Sequence, residues 1–153
     1  MFLWLKTAHV LSVVVFLGNI ITGLFWHSHA LRTRDQALVR HAIDGVIRSD
    51  RWFTLPGVFL IILTGVGAAM SAGYPILGTR WILWSLVLFA VSGVAFVSQV
   101  APIQKRLQAM AGEPGRQFSW DAYLALTKRW EWWGAVALVT PLAALALMVF
   151  KPA

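Results

Sequence analysis

The chain contains no cysteine. Disulfides, thiolate-bound zinc and iron–sulfur clusters are thereby excluded, so any metal or haem must be held by histidine, methionine, carboxylate, lysine or tyrosine. Charge is scarce as well. Only 12% of the 153 residues are charged, about half the share of a soluble domain, and six acidic residues face thirteen basic ones. What fills the chain instead is apolar: 59% of it is hydrophobic. This is the composition of a single integral membrane domain, residues 1–153. A net charge of +7 would suggest nucleic acid in a soluble protein. Here the basic residues flank apolar runs, so the charge is assigned to topology and anionic lipid, with no nucleic-acid partner. No basic stretch precedes the first apolar run and no small-x-small site follows it, so the first helix is expected to be retained rather than cleaved.

Four apolar segments are expected to span a membrane, over about 2–26, 52–72, 79–100 and 131–150. Tryptophans bracket them, among them Trp4, Trp26, Trp52, Trp81 and Trp132, as interfacial aromatics do. Between the first two spans, Ala37, Leu38, Ala42, Ile43, Val46 and Ile47 recur at helical spacing among charged residues. After the third, Pro102 is expected to bend or end the helix, and Gln104–Ala111 reads as a polar helical extension. Gly112-Glu113-Pro114-Gly115 reads as a turn, and Ser119 with Asp121 as the start of the last helix. The fold class is therefore all-α: a four-helix transmembrane bundle with helical cytoplasmic extensions. Ten of the thirteen basic residues lie in the two long connections. The positive-inside rule puts both connections in the cytoplasm and both termini in the periplasm of a bacterial inner membrane.

The stretch Lys6–His29 carries the polar groups of the first span. At 100° per residue, His9, Ser12, Phe16, Asn19 and Gly23 share one side. His27 returns to the line of His9 about 27 Å away, close to the thickness of the hydrocarbon core. Polar groups in lipid are costly unless they face protein or water, so this side should face the bundle. Gly65, Ala68, Ala69 and Ala72 form a small-residue stripe suited to close helix approach. Ser85, Ser92 and Gln99 recur every seven residues, with Phe89 and Phe96 between them. Hydrogen bonding between helices is the plain reading of that stripe, and a wall around a cofactor or quinone headgroup the sharper one. Pro141 frees a carbonyl one turn back, near Ala137. His27, His29 and His41 are grouped at the cytoplasmic end, without the spacing of a standard metal motif.

Two resemblances bear on chemistry. Trp4-Leu5-Lys6-Thr7-Ala8-His9 resembles the opening WLKxxH pattern of the HemJ-type protoporphyrinogen IX oxidases, small four-helix bacterial membrane proteins. The ending Val149-Phe150-Lys151-Pro152 resembles their closing VVKP. Those enzymes carry a lysine near the start of the third span, where this chain has Thr79-Arg80-Trp81-Ile82. Over nearly its whole length the chain is more similar to a bacterial predicted integral membrane family of unknown function. It shares that family's LKTAH, the FTLPG at Phe53–Gly57, the TG at Thr64–Gly65 and the pair Trp81 and Ser85. The first resemblance implies haem b, with His9 as the iron ligand. Around it stand Lys6, Ser12, Phe16 and Asn19 as neighbours, with Met70, Met148, Lys6 or solvent as the sixth ligand within one chain. Quinone or porphyrin would be the partner, in a monomer or a homo-oligomer. The alternatives are a non-catalytic accessory or assembly subunit, and a small proton-coupled transporter using the line Lys6–His9–Asn19.

Overall fold

The computed structural model describes residues 1–112 and 118–152; the turn expected beyond Gly112 lies outside them. Among the described residues the secondary structure is entirely helical: α1 (Phe2–Arg32), α2 (Gln36–Ser49), α3 (Leu55–Ser71), α4 (Arg80–Ala95), α5 (Ala101–Gly112) and α6 (Trp120–Phe150). A π-helical turn over Asp50–Thr54 joins α2 to α3, and a second over Phe96–Val100 joins α4 to α5. The chain therefore makes four continuous rods, Phe2–Arg32, Gln36–Ser71, Arg80–Gly112 and Trp120–Phe150, each long and apolar enough to cross a membrane. Rods of 31–36 residues are about 46–54 Å long. They outrun a hydrocarbon core of about 30 Å by several turns.

Helix α1 does not stop at Trp26, and Pro102 neither ends nor breaks the third rod. The prolines explain the second point. A proline ring collides with the carbonyl four residues earlier and offers no N–H to it. Pro56 and Pro102 each stand two residues past a π-turn, so the carbonyls they would strike, Trp52 and Ser98, lie inside the widened turns. One extra residue per turn gives the ring room, and the helix continues.

Packing follows a four-three alternation. The buried residues of α6 are Tyr123, Thr127, Trp130, Gly134, Ala137, Pro141 and Ala144. In the second rod they are Val39, Ile43, Val46, Asp50, Thr54, Gly57 and Ile61, the same alternation with one additional four-residue step across the π-turn. This is the seam of a left-handed bundle. Along the apolar half, α1 packs on α3 and α4 on α6. The two pairs meet where Phe16 and Phe89 lie 5.7 Å apart, with Leu17, Ile61 and Leu138 around them. The other half holds the larger core, in which Val39, Ile43, Leu107 and Tyr123 are fully buried. Large apolar side chains such as Val14, Phe59, Leu63 and Val94 point outward from the apolar half, towards lipid.

Close approach of α3 to α1 rests on Gly57 and Gly65 on either side of Ile61, rather than on the whole of the expected stripe. A Cβ on Gly57 would stand 3.4 Å from that of Phe16, while Ala72 is exposed. The serine stripe is spent on hydrogen bonds between helices, its plain reading. Ser92 Oγ donates to Ala137 O at 2.7 Å, the carbonyl that Pro141 leaves without an N–H. Ser85 Oγ donates to Trp81 O at 2.7 Å and to Ala144 O at 3.2 Å. Thr140, next to Pro141, donates to Val136 O.

Candidate functional site

Polar side chains enter the bundle at three levels. At the level nearest the chain termini His9 lies between α1 and α3. Its Nδ1 is 3.0 Å from Ile61 O and 3.4 Å from Thr64 Oγ1. Thr64 Oγ1 is itself committed to Leu60 O. A carbonyl can only accept, so Nδ1 carries the proton and Nε2 is the nitrogen with the free lone pair. The ring can lie this close to the α3 backbone because residue 65 is glycine: a Cβ there would be 2.9 Å from His9 Cε1 and 3.1 Å from Nδ1.

The other residues expected around His9 divide. Ser12 is buried but turns back to its own helix, donating to Ala8 O at 2.8 Å. Lys6 is exposed. Met70 is exposed too, whereas Met148 is half-buried on α6. Phe16 and Phe89 pack on each other and close the interior below His9. Phe96 belongs to a different cavity, one level further in. Hence Lys6, His9 and Asn19 do not form a continuous polar line, because the Phe16–Leu17–Ile61 core lies between His9 and Asn19. For haem, the donor set offers one ligand: a neutral imidazole, oriented through Nδ1–H by a backbone carbonyl, with Nε2 uncommitted.

At the middle level lies a polar cluster that the periodicity of the spans did not single out. Asp50, the first residue of the first π-turn, is only 8% exposed. Its Oδ1 accepts from Asn19 Nδ2 at 3.0 Å and from Thr54 Oγ1 at 2.7 Å. Its Oδ2 accepts from Gln104 Nε2 at 2.8 Å. Asn19 Nδ2 also donates to Thr54 Oγ1 at 2.9 Å. Side chains from α1, the π-turn and α5 thus converge on one carboxylate that has no basic partner among the described residues. In sequence, Asp50 stands between Arg48 and Arg51 and looks like a solvated charge. The available signal was its register, seven and four residues on from the buried Ile43 and Val46.

At the level nearest the two long connections His27 is fully buried, with Nε2 3.0 Å from the Tyr123 hydroxyl and its ring edge-on to Trp130 at 5.0 Å. His29 is exposed and stacks on Phe25, and His41 is exposed on α2. These three histidines therefore do not converge, and among the described residues no three His, Cys, Asp or Glu are grouped to hold a metal ion.

Comparison with curated proteins and with solved structures brings no match. The family whose model does match is described as predicted integral membrane protein, and it is matched over residues 3–152. Four membrane-length apolar helices, lipid-facing side chains on one half and a polar interior agree with that description, and with the match spanning almost the whole chain, this protein belongs to the predicted integral membrane protein family DUF2269.

Proposed function

We propose that the protein is a redox protein of the bacterial inner membrane that binds haem b through His9 Nε2 and exchanges electrons with a quinone or a porphyrin. The observation that carries this reading is the Nδ1–H bond to Ile61 O, which fixes the tautomer and turn of the ring and leaves Nε2 free to ligate. The WLKxxH resemblance of Trp4–His9 to HemJ-type enzymes points to the same residue. Haem, when bound, supplies a one-electron carrier. His9 would hold the iron, Gly65 lets the imidazole sit against α3, and Lys6, exposed one turn nearer the N-terminus, would offer a cation to a propionate. Phe16 and Phe89, already in contact, seal the floor of this region and keep the inner polar cluster apart from it.

The test is spectroscopic. Protein purified in mild detergent from haem-supplied cells should show a Soret band. His9→Ala should abolish it, while His29→Ala, an exposed position, should leave it intact. Colourless wild-type protein, or a full Soret band in His9→Ala, overturns the reading.

The orientation belongs to the same proposal. With ten of thirteen basic residues in the two long connections, both termini lie in the periplasm. Alkaline phosphatase fused after Ala153 should therefore be active, and the same reporter placed after Gly112 inactive. The opposite pattern would invert the bundle and put His9 on the cytoplasmic side.

A further inference from the structure

The Asp50 cluster borders a cavity of about 30 Å³, room enough for one water. Asn19, Val46, Asp50, Phe96, Gln104 and Trp130 are among its walls. Trp130 is 2% exposed, and its indole Nε1–H has no hydrogen-bond partner among the described residues. A buried donor without a partner costs about 1–3 kcal/mol, so a water next to it is strongly favoured where room exists. Asp50 borders the same cavity, and its carboxylate is what such a water would donate to. Both π-turns border the same space, the first through Asp50 and the second through Phe96 and Val100. Turns of this kind interrupt the regular hydrogen-bond ladder and are frequent at functional sites.

From this geometry we propose that Asp50 is a proton-exchange site of the bundle, served by one water held between its carboxylate and the indole N–H of Trp130. The inference does not rest on the haem reading, which concerns a different level of α1. A carboxylate with no cation beside it is neutralised either by a proton or by a small cation. The wall chemistry favours the proton. Asn19 and Gln104 turn their amide donors, not their carbonyls, to Asp50, and a cation would not settle beside an indole N–H. Among the described residues bordering the cavity, Asp50 is the single charged group. The elements packed around it present Arg48 and Arg51 to the outside, Lys105 and Arg106 to the outside of α5, and Glu131 to Ser28 of α1. Behind Trp130 lies His27, already paired with Tyr123. In the exchange, the bound water passes one proton to an Asp50 oxygen and receives one in turn from solvent hydronium. The carboxylate becomes a carboxyl, the hydronium becomes water, and the bridging water is unchanged.

Infrared difference spectroscopy of the full chain in lipid, between acidic and alkaline buffer, tests this directly. The expected result is a deuterium-sensitive protonated-carboxyl band that is lost in Asp50→Asn and shifted in Trp130→Phe, which removes the indole N–H. Should Asp50→Asn fail to fold, Asn19→Ala and Gln104→Leu each remove one donor to the carboxylate, and each must shift the same band. A difference spectrum that these variants leave unchanged overturns the proposal. So does a band unmoved by Trp130→Phe, because the bridging water is then absent. A band suppressed by sodium at constant pH makes the site a cation site instead and likewise overturns the proton assignment.

Discussion

Trp130→Ala should lower the stability of the protein in mild detergent by about 3–5 kcal/mol, the range for truncating a buried Trp or Phe. The indole is 2% exposed and sits where the inner core, the His27–Tyr123 pair and the Asp50 cavity adjoin. Its loss removes the edge-on contact with His27 at 5.0 Å and merges the vacated space with the existing cavity. Partial collapse of the surroundings is hindered because Gly134, one turn on, already meets Leu24 of α1, with a Cβ there only 3.1 Å from Leu24 Cδ2. Trp132 is the matched control. It lies about 200° further round α6 and is 68% exposed. Trp132→Ala should change stability by about 0.5 kcal/mol or less. Thermal or denaturant unfolding of the two variants checks the pair. Equal losses would mean that α6 is rotated relative to the seam described here.

Gly65→Leu should cost about 1–3 kcal/mol, the range for overpacking a close contact. Even the first carbon of the new side chain would be 2.9 Å from His9 Cε1, and the imidazole is pinned by its bond to Ile61 O. Either the ring gives up that bond or α1 and α3 separate. Both outcomes remove the constraint that leaves Nε2 free, so the variant should also lose any spectrum that depends on His9. A Cβ added at Gly18 would meet no atom of another element within 4 Å, so Gly18→Ala should be neutral or gain up to about 1 kcal/mol of helix propensity. An unchanged melting temperature in Gly65→Leu would show that this side of α3 faces lipid rather than α1.

Composition and period alone settled the class of molecule, its four helices of membrane length and the helical nature of the extensions between them. Apolar runs of membrane length carry the spans, and Ile43 and Val46 recurring at helical spacing within a charged stretch carry the extensions. Two finer features were legible as well: Pro141 frees a carbonyl at Ala137, and Ser92 faces the interior. Both follow from covalent geometry and helical phase. That Ser92 donates to that very carbonyl was a matter of how α4 and α6 slide past each other, which neither helix encodes alone. The same holds for His9. Its inward face was legible, but its seat on Gly65 and its bond to Ile61 O depend on the register of α1 against α3. Tertiary packing decided most where phase changes within a helix. Each π-turn inserts a residue and rotates everything beyond it, and the widened turn before Pro102 leaves its ring room at the Ser98 carbonyl, so the proline does not stop its helix as local reasoning expects. Asp50, with arginines near it on both sides in the chain, lies in the register of the buried Ile43 and Val46, but only the packing of α1 and α5 against the first π-turn brings Asn19 and Gln104 to its carboxylate. Charge is a local property of the chain, whereas the side of the helix that a charge occupies is set by every turn before it and by the neighbour that the turn must meet.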